Sequence, residues 1–188
     1  YEQADRLGGQ WILACVPPRK DEYLEVTRWY KDQLEKLGAK VYLNKLATPQ
    51  DIIAAGSDVA IVATGATPIL LKIPGTEDGK VVTAHDVLAG KKIDLGNKVL
   101  VIGGGMVGIE TAEFLAEQGK RITVVEMLDE IAAEIGIVRK PYMNQCLSDH
   151  GVEIFVSTRV ERVSDDGVIV TGKNGEKKNI GAFDSIVL

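Results

Sequence analysis

The 188-residue sequence has little of what metal centres and disulfide frameworks are built from, with only two cysteines and two histidines. Cys15 and Cys146 lie far apart and form no CxxC pair, which argues against a disulfide framework, a redox-active dithiol, and an iron–sulfur or zinc site. We expect both thiols to pack inside a protein kept in a reducing compartment, the cytoplasm. His85 and His150 join no visible catalytic group, so we expect both to be structural.

The sequence also lacks a long apolar run and an excess of positive charge. No run approaches the about 20 residues that a membrane-spanning helix needs, and no signal peptide is visible. The net charge of −5 argues against a surface that binds phosphate backbones regardless of sequence. We therefore expect neither a membrane nor a nucleic acid as a partner.

The first third of the chain predicts alternating helices and strands. Apolar spacing over 21–37 predicts an amphipathic helix, and Thr48 followed by Pro49 predicts the N-cap and first turn of another. Strands are predicted over 39–44 and 58–65. The continuous apolar character of 58–65 is typical of a parallel strand that is buried on both faces.

A second and more regular α/β pattern follows a segment rich in proline and glycine, residues 66–80. This pattern predicts a short strand and a short helix over 81–90, strands over 98–103, 120–127, 152–158 and 183–188, helices over 107–119 and 141–151, and antiparallel hairpins over 159–180.

The segment after the strand over 98–103 carries a GxGxxG pattern and opens a predicted helix, which is the context that indicates dinucleotide binding. The first glycine permits a tight turn, the second lets a pyrophosphate approach the backbone, and the third lets the helix pack against the strand. Free N–H groups at the helix start favour a phosphate. The expected cofactor-binding residues of this loop are Gly103, Gly104, Gly105, Met106, Val107 and Gly108.

Glu126 ends the next predicted strand, 126 − 103 = 23 residues after Gly103 and close to the about 20 residues expected for a ribose-binding acid. Its carboxylate can accept hydrogen bonds from both adenosine ribose hydroxyls and would repel a 2′-phosphate. The nearest basic residues downstream, Arg139 and Lys140, are more than ten positions away, so we predict a preference for NADH over NADPH. Glu110 could reach the nicotinamide end or could be an ordinary helix carboxylate.

The first residues of the chain fit the same logic. The sequence begins without Met, and Glu2 resembles Glu126, because LGGQ over 7–10 and the strand over 58–65 would belong to another dinucleotide fold. The alternative is that Glu2 is a solvated carboxylate near a terminus. The chain also stops within a predicted strand, so we expect a fragment.

We therefore predict an α/β fold with two parts. Residues 69–188 would form a Rossmann-like, three-layer NAD(P)-binding domain. Residues 1–68 would form a partial FAD-binding-type Rossmann unit whose first strand and glycine loop are missing.

The order of the motifs resembles one family. E…LGGQ, PP-x-K, ATGA-x-P, IPG, GGGMVG-x-ETAEFLAE-x-G and VVEM look like the C-terminal half of the 2,4-dienoyl-CoA reductase, enoate reductase and trimethylamine dehydrogenase group. These are NADH:flavin oxidoreductases related to old yellow enzyme, and their fold belongs to the wider pyridine nucleotide-disulfide oxidoreductase superfamily. The resemblance covers essentially the whole chain. The short link TPQDIIAAG before ATG favours this group over the wider superfamily.

The resemblance implies a protein larger than this chain. An N-terminal TIM barrel in the same parent chain would carry FMN, with a four-cysteine 4Fe–4S cluster nearby. Hydride would pass from NADH to FAD in the present region, and electrons would go on through the cluster to FMN. Motif by motif, the resemblance assigns the FAD side to Glu2, Gly8, Gly9, Gln10, Thr64 and Gly65, and the nicotinamide-nucleotide side to the glycine loop and Glu126.

The resemblance implies an oxidoreductase, although no side chain need act as a catalyst because the cofactors carry the chemistry. Without the barrel, the cluster motif and the first glycine loop, we expect the fragment alone to be inactive. Two other functions stay open. A dinucleotide-binding module without turnover, holding an ADP-like ligand in place of FAD, would use the same glycine loop. A pyridine nucleotide–disulfide reductase would need a CxxC pair, which this sequence lacks.

Overall fold

The computed structural model describes residues 1–76, 80–91 and 93–188. The chain divides into two compact units, an N-terminal unit, Tyr1–Thr67, and a C-terminal unit, Pro68–Leu188. The N-terminal unit contains helices α1 (Gln10–Ala14), α2 (Leu24–Lys36) and α3 (Pro49–Ala55), and a single 3-10 turn, Asp21–Tyr23, before α2. No helix in the described ranges combines the length and the apolar character needed to cross a membrane.

Helix α3 begins where the sequence predicts it. Thr48 Oγ1 accepts a hydrogen bond from Asp51 N at 3.2 Å, and Asp51 Oδ2 accepts one from Thr48 N at 2.8 Å. These two bonds form a capping box, which satisfies N–H groups that a helix start otherwise leaves unpaired. Hydrogen bonds from Thr48, assisted by Lys45, hold the pKa of Asp51 well below its usual range.

The predicted strands over 39–44 and 58–65 are wrong for this structure, because neither segment forms a β-ladder. Residues 2–4 and 42–45 share three backbone hydrogen bonds without forming a strand pair. The side chains of Val59 and Ile61 are 77% and 88% exposed. A strand is defined by hydrogen bonds to a neighbouring strand, and the described part of this unit offers 58–65 no such neighbour.

The C-terminal unit contains the regular α/β pattern. Its strands are β1 (Val81–Val82), β2 (Lys98–Ile102), β3 (Arg121–Val125), β4 (Glu153–Phe155), β5 (Thr158–Ser164), β6 (Gly167–Gly172), β7 (Lys177–Asn179) and β8 (Ser185–Val187). Its helices are α4 (Ala84–Leu88), α5 (Met106–Glu117) and α6 (Arg139–Asp149).

The strands form two sheets. The larger sheet is parallel, with the order β1-β8-β2-β3-β4, and the smaller is an antiparallel meander in the order β5-β6-β7. Both hairpin turns of the meander form where the sequence predicts them. A parallel sheet that links its strands through helices is the Rossmann-like arrangement, so the predicted α/β fold class is confirmed.

Two apolar cores cover the two faces of the parallel sheet. Val99 and Val101 of β2 pack with Ile109 and Leu115 of α5 on one face. Leu100, which points to the other face, packs with the antiparallel meander through residues such as Val160, Val163, Val168 and Val170. Alternate residues of β2 therefore pack in different cores, which explains why the sequence of this strand is an unbroken apolar run.

One carboxylate joins the starts of β2 and β8. Asp184 Oδ2 accepts hydrogen bonds from Asn97 N and Lys98 N, both at 2.8 Å, and Asp184 N donates to Lys98 O at 2.8 Å. The two backbone hydrogen bonds lower the pKa of Asp184. The ionised form of this side chain therefore supports the register between the two strands.

We expect Asp184→Asn to lower the melting temperature of the chain at pH 7 and to flatten its acid dependence. A carboxyl with a depressed pKa contributes stability above its unfolded pKa of about 4, and this contribution is lost as pH falls through the folded pKa. Thermal unfolding followed by circular dichroism from pH 7 to pH 3 measures both effects. Asp166→Asn, in the turn between β5 and β6, is the matched control, and equal behaviour of the two variants would contradict this role of Asp184.

Candidate functional site

The glycine loop lies at the carboxyl end of β2, where the strand order changes direction. From β2 the chain proceeds through α5 to β3 on one side, whereas β8 lies on the other side. In open parallel sheets the crevice outside the carboxyl ends of the strands at such a point is the usual ligand site. A cavity of about 260 Å³ occupies this position.

This cavity is lined by parts of the C-terminal unit that are distant in sequence. The glycine loop forms one wall, and Leu188 after β8, Ala84 at the start of α4, and Glu134 complete it. Ala84 N donates to Leu188 O at 2.8 Å, which ties α4 to the end of β8. Sequence reasoning missed these three lining residues, because their position depends on the strand order and not on a local motif.

The three glycines of the pattern differ in what surrounds them. Gly103 has φ of 106°, a conformation that L side chains rarely adopt. A Cβ atom on Gly108 would overlap the carbonyl oxygen of Gly103. A Cβ atom on Gly105 would meet no atom within 4 Å, so the backbone at the start of α5 faces open space into which a phosphate group could fit.

Glu126 is buried and bound to the glycine loop. Its Oε2 accepts a hydrogen bond from Gly104 N at 2.6 Å, and its Oε1 accepts one from Leu128 N at 2.7 Å. Gly104 O in turn accepts from Ala132 N at 2.7 Å. The peptide group before Gly104 is therefore anchored by Glu126, and the peptide group after Gly104 is anchored by Ala132.

A side chain at Gly104 would displace its neighbours. A Cβ atom there would lie 2.8 Å from Ile131 Cγ2 and 2.9 Å from the Cβ of Glu126. Ala132, which is buried, has φ of 49° and supplies only its backbone N–H. Sequence reasoning missed Ala132 because an alanine in the left-handed region has no sequence signature.

Glu110 lies on α5 and is buried, with 5% of its surface exposed. Its Oε1 lies 3.2 Å from Arg139 Nη1 at the start of α6. In the sequence, Arg139 is a positive charge more than ten positions after Glu126, and the fold brings it to the Glu110 carboxylate. Glu110 is therefore a buried carboxylate with a cationic partner, and not the ordinary helix carboxylate that the sequence left open.

The residues assigned to the FAD side all lie in the N-terminal unit, and the structure brings some of them together. Glu2 and Thr64 line the same cavity, of about 420 Å³. Gln10 Nε2 donates a hydrogen bond to Ala66 O, directly after Gly65.

The glycines of LGGQ have a different environment. Gly8 and Gly9 have φ of 122° and 47° and precede α1. A Cβ on Gly8 would lie 2.8 Å from Ile12 Cγ1. These two glycines therefore shape the turn into α1.

Together, the parallel sheet, the glycine loop and the acid at the end of β3 define the C-terminal unit as a Rossmann-like nucleotide-binding fold. A family model described as "Pyridine nucleotide-disulphide oxidoreductase" matches residues 31–188. The chain belongs to the pyridine nucleotide-disulphide oxidoreductase family.

Curated relatives cover the whole chain. It is 36% identical over 190 residues to a protein named NADH oxidase from Thermoanaerobacter brockii, covering 100% of this chain and 29% of the relative. It is 34% identical over 189 residues to cinnamate reductase from Clostridium sporogenes, covering 99% of this chain and 28% of the relative. The predicted resemblance to the enoate reductase group is confirmed. The chain spans less than a third of the length of these relatives.

Solved structures show the same fold. A structure of 2-naphthoyl-CoA reductase in complex with 2-naphthoyl-CoA is 34% identical, with a TM-score of 0.90, and the match covers 99% of this chain and 28% of that chain. A structure of 6-hydroxypseudooxynicotine amine oxidase from Pseudomonas geniculata, at 23% identity and a TM-score of 0.86, supports the fold alone.

Alanine substitutions at two glycines of the loop should have different effects. We expect Gly105→Ala to leave the melting temperature unchanged and to lower the affinity for NADH by about tenfold or more, because the methyl group occupies the space that a pyrophosphate needs. We expect Gly108→Ala to lower both affinity and stability, by about 1–3 kcal/mol for the latter, because its methyl group overlaps the backbone.

Thermal unfolding and calorimetric titration of the two variants measure these quantities. Unchanged NADH affinity in a folded Gly105→Ala variant would exclude a pyrophosphate at this loop.

Proposed function

We propose that the C-terminal unit binds NADH and that the chain is the NADH- and FAD-linked electron-entry region of a larger NADH:flavin oxidoreductase. The observation that carries the proposal is the position of the Glu126 carboxylate, buried and anchored by two backbone N–H groups beside a glycine loop that opens a helix. This is the donor and acceptor set that an adenosine ribose and a pyrophosphate require.

The hydrogen bonds of Glu126 leave it able to bind a ribose. Each carboxylate oxygen accepts one backbone N–H, from Gly104 or from Leu128, and retains a lone pair for one ribose hydroxyl. Because the two backbone bonds hold the carboxylate in place, little side-chain entropy is lost when the ribose binds.

The charges near Glu126 favour NADH over NADPH. The two basic residues that follow in sequence are paired with other acids, Arg139 with Glu110 and Lys140 with Glu130. A 2′-phosphate beside Glu126 would therefore meet a fixed negative charge, and neither of these cations could neutralise it without giving up an existing ion pair.

The residues of this chain would bind and orient cofactors and need not act as acids, bases or nucleophiles. When bound, the cofactors supply the chemistry, a hydride transfer from the nicotinamide to the flavin. The glycine loop would hold the pyrophosphate, Glu126 the ribose, and Glu110, paired with Arg139, would face the nicotinamide end.

The FAD side of the proposal concerns the N-terminal unit, residues 1–68 in the proposed division. Glu2 and Thr64 line one cavity, and Gln10 donates a hydrogen bond to the backbone of Ala66, directly after Gly65. The fit to a flavin nucleotide is only partial, because the space at Gly8 is filled by Ile12 of α1. The chain covers only 29% and 28% of the two curated relatives, which supports a larger whole protein. The TIM barrel, FMN and the 4Fe–4S cluster of the proposal would belong to its other segments.

The first test compares the binding of NADH and NADPH before and after the substitution Glu126→Ala. We expect the unmodified chain to bind NADH more tightly. We expect the variant to lose about 10- to 100-fold in NADH affinity and most of its discrimination between the cofactors, because hydrogen bonds to a charged group contribute about 1.5–3 kcal/mol.

Glu176→Ala removes an exposed acid between β6 and β7 and is the matched control. Calorimetric titration of the three proteins with each cofactor, at fixed ionic strength, measures all six affinities. Equal binding of NADH and NADPH by the unmodified chain, or no effect at Glu126, would overturn the site assignment.

The second test concerns FAD and uses the whole protein. We expect Gln10→Ala to lower the affinity for FAD by about tenfold and to leave NADH affinity unchanged, because the backbone at Ala66 loses its hydrogen bond to this side chain. The flavin content of the purified protein, read from its visible absorbance, gives the result.

Gln50→Ala, on α3, is the control. A full flavin content in Gln10→Ala would remove this residue from the FAD site. Bound ADP in place of flavin in the unmodified protein would favour the module without turnover.

A further inference from the structure

A group of metal-ligating side chains lies between α5 and α6, toward the C-terminal half of α5. Glu113 and Glu117 are one turn apart on α5, and Cys146 lies on α6. The ligand atoms of these three side chains all lie within 4.8 Å of one another. Glu113 is buried, with 3% of its surface exposed, Cys146 is half-buried, and Glu117 is exposed.

We propose that Glu113, Glu117 and Cys146 form a binding site for a divalent transition metal ion such as Zn²⁺. The thiolate selects the class of ion, because sulfur ligands favour zinc and similar metals, whereas Mg²⁺ and Ca²⁺ take oxygen ligands. Three protein ligands leave the fourth tetrahedral position for a water molecule.

The spacing of the donor atoms suits such an ion after a small adjustment. With Zn–S of about 2.3 Å and Zn–O of about 2.0 Å, neighbouring donors in a tetrahedral site lie about 3.5 Å apart. The present separations, up to 4.8 Å, require closing by at most about 1.3 Å. Rotation of the long glutamate side chains can supply this movement without moving the helices.

The local charge favours a cation. Two carboxylates and a thiol lie together, and Glu113 is removed from water, where a nearby positive charge has its strongest effect. Binding would replace the Cys146 S–H bond with an S–metal bond and release the proton to solvent, with no change in oxidation state. Each of the three side chains already takes part in another interaction within the chain, so the ion would compete with those interactions.

An imidazole lies at the edge of the group. His150 Nδ1 is 2.9 Å from Cys146 O and 3.8 Å from Cys146 Sγ. The sequence predicts no zinc site because its cysteines are not paired. The three donors come from two helices, Glu113 and Glu117 from α5 and Cys146 from α6, and the packing of these helices brings them together.

The test is a titration of the metal-free chain with Co²⁺, followed by displacement with Zn²⁺. We expect one equivalent of Co²⁺ to produce the near-ultraviolet absorption of a thiolate–cobalt bond, and Zn²⁺ to abolish it. Cys146→Ser should remove this absorption, and Glu113→Gln or Glu117→Gln should weaken binding by about tenfold or more. Zn²⁺ should also raise the melting temperature of the unmodified chain, because it binds the folded form.

Two matched variants control the test. Cys15→Ser removes the other thiol, which lies in the N-terminal unit, and Glu176→Gln removes an exposed acid between β6 and β7. Circular dichroism confirms that each variant is folded. The proposal is overturned if the unmodified chain gives no thiolate–cobalt absorption, if Cys146→Ser retains it, or if Cys15→Ser loses it. These results do not depend on NADH binding, so the two proposals can fail separately.

Discussion

The hydrogen bond from Gly104 N–H to the Glu126 carboxylate is the contact on which the candidate site depends. It joins the turn after β2 to the end of β3, and Ala132 N–H holds the next peptide group of the same turn. The parallel register of β2 and β3 brings these segments to the same sheet edge. The anchored turn before Gly105 and the fixed position of the acid therefore have one origin.

The parts of the site that could be predicted from sequence are those with a local signature. The glycine loop lies between a strand and a helix that each have their own apolar pattern, and Glu126 is found by counting from Gly103. The three layers follow from the same patterns. Leu128 and Ala132 act through backbone N–H groups, which any residue but proline carries, so no residue type marks them.

The N-terminal unit shows the limit of the same reasoning. The capping box of Thr48 and Asp51 was predictable because both partners lie within one helical turn. The segment 58–65 has the composition of a buried strand, but composition gives only a preference and does not supply the neighbouring strand that must provide the hydrogen bonds. Glu110 with Arg139, and Glu113 with Cys146, were hidden for a related reason, because each pair meets only where α5 and α6 pack.

The place of β8 in the sheet has a consequence for how the C-terminal unit acquires its fold. β2, β3 and β4 follow one another in sequence and in space, so they can assemble as each is synthesised. Among the strands of the described residues, β1 pairs with β8 alone, which is about a hundred residues further along the chain. The first strand of this sheet must therefore wait unpaired until the last has been made, and its two residues, Val81 and Val82, present only a short edge to other chains during that interval.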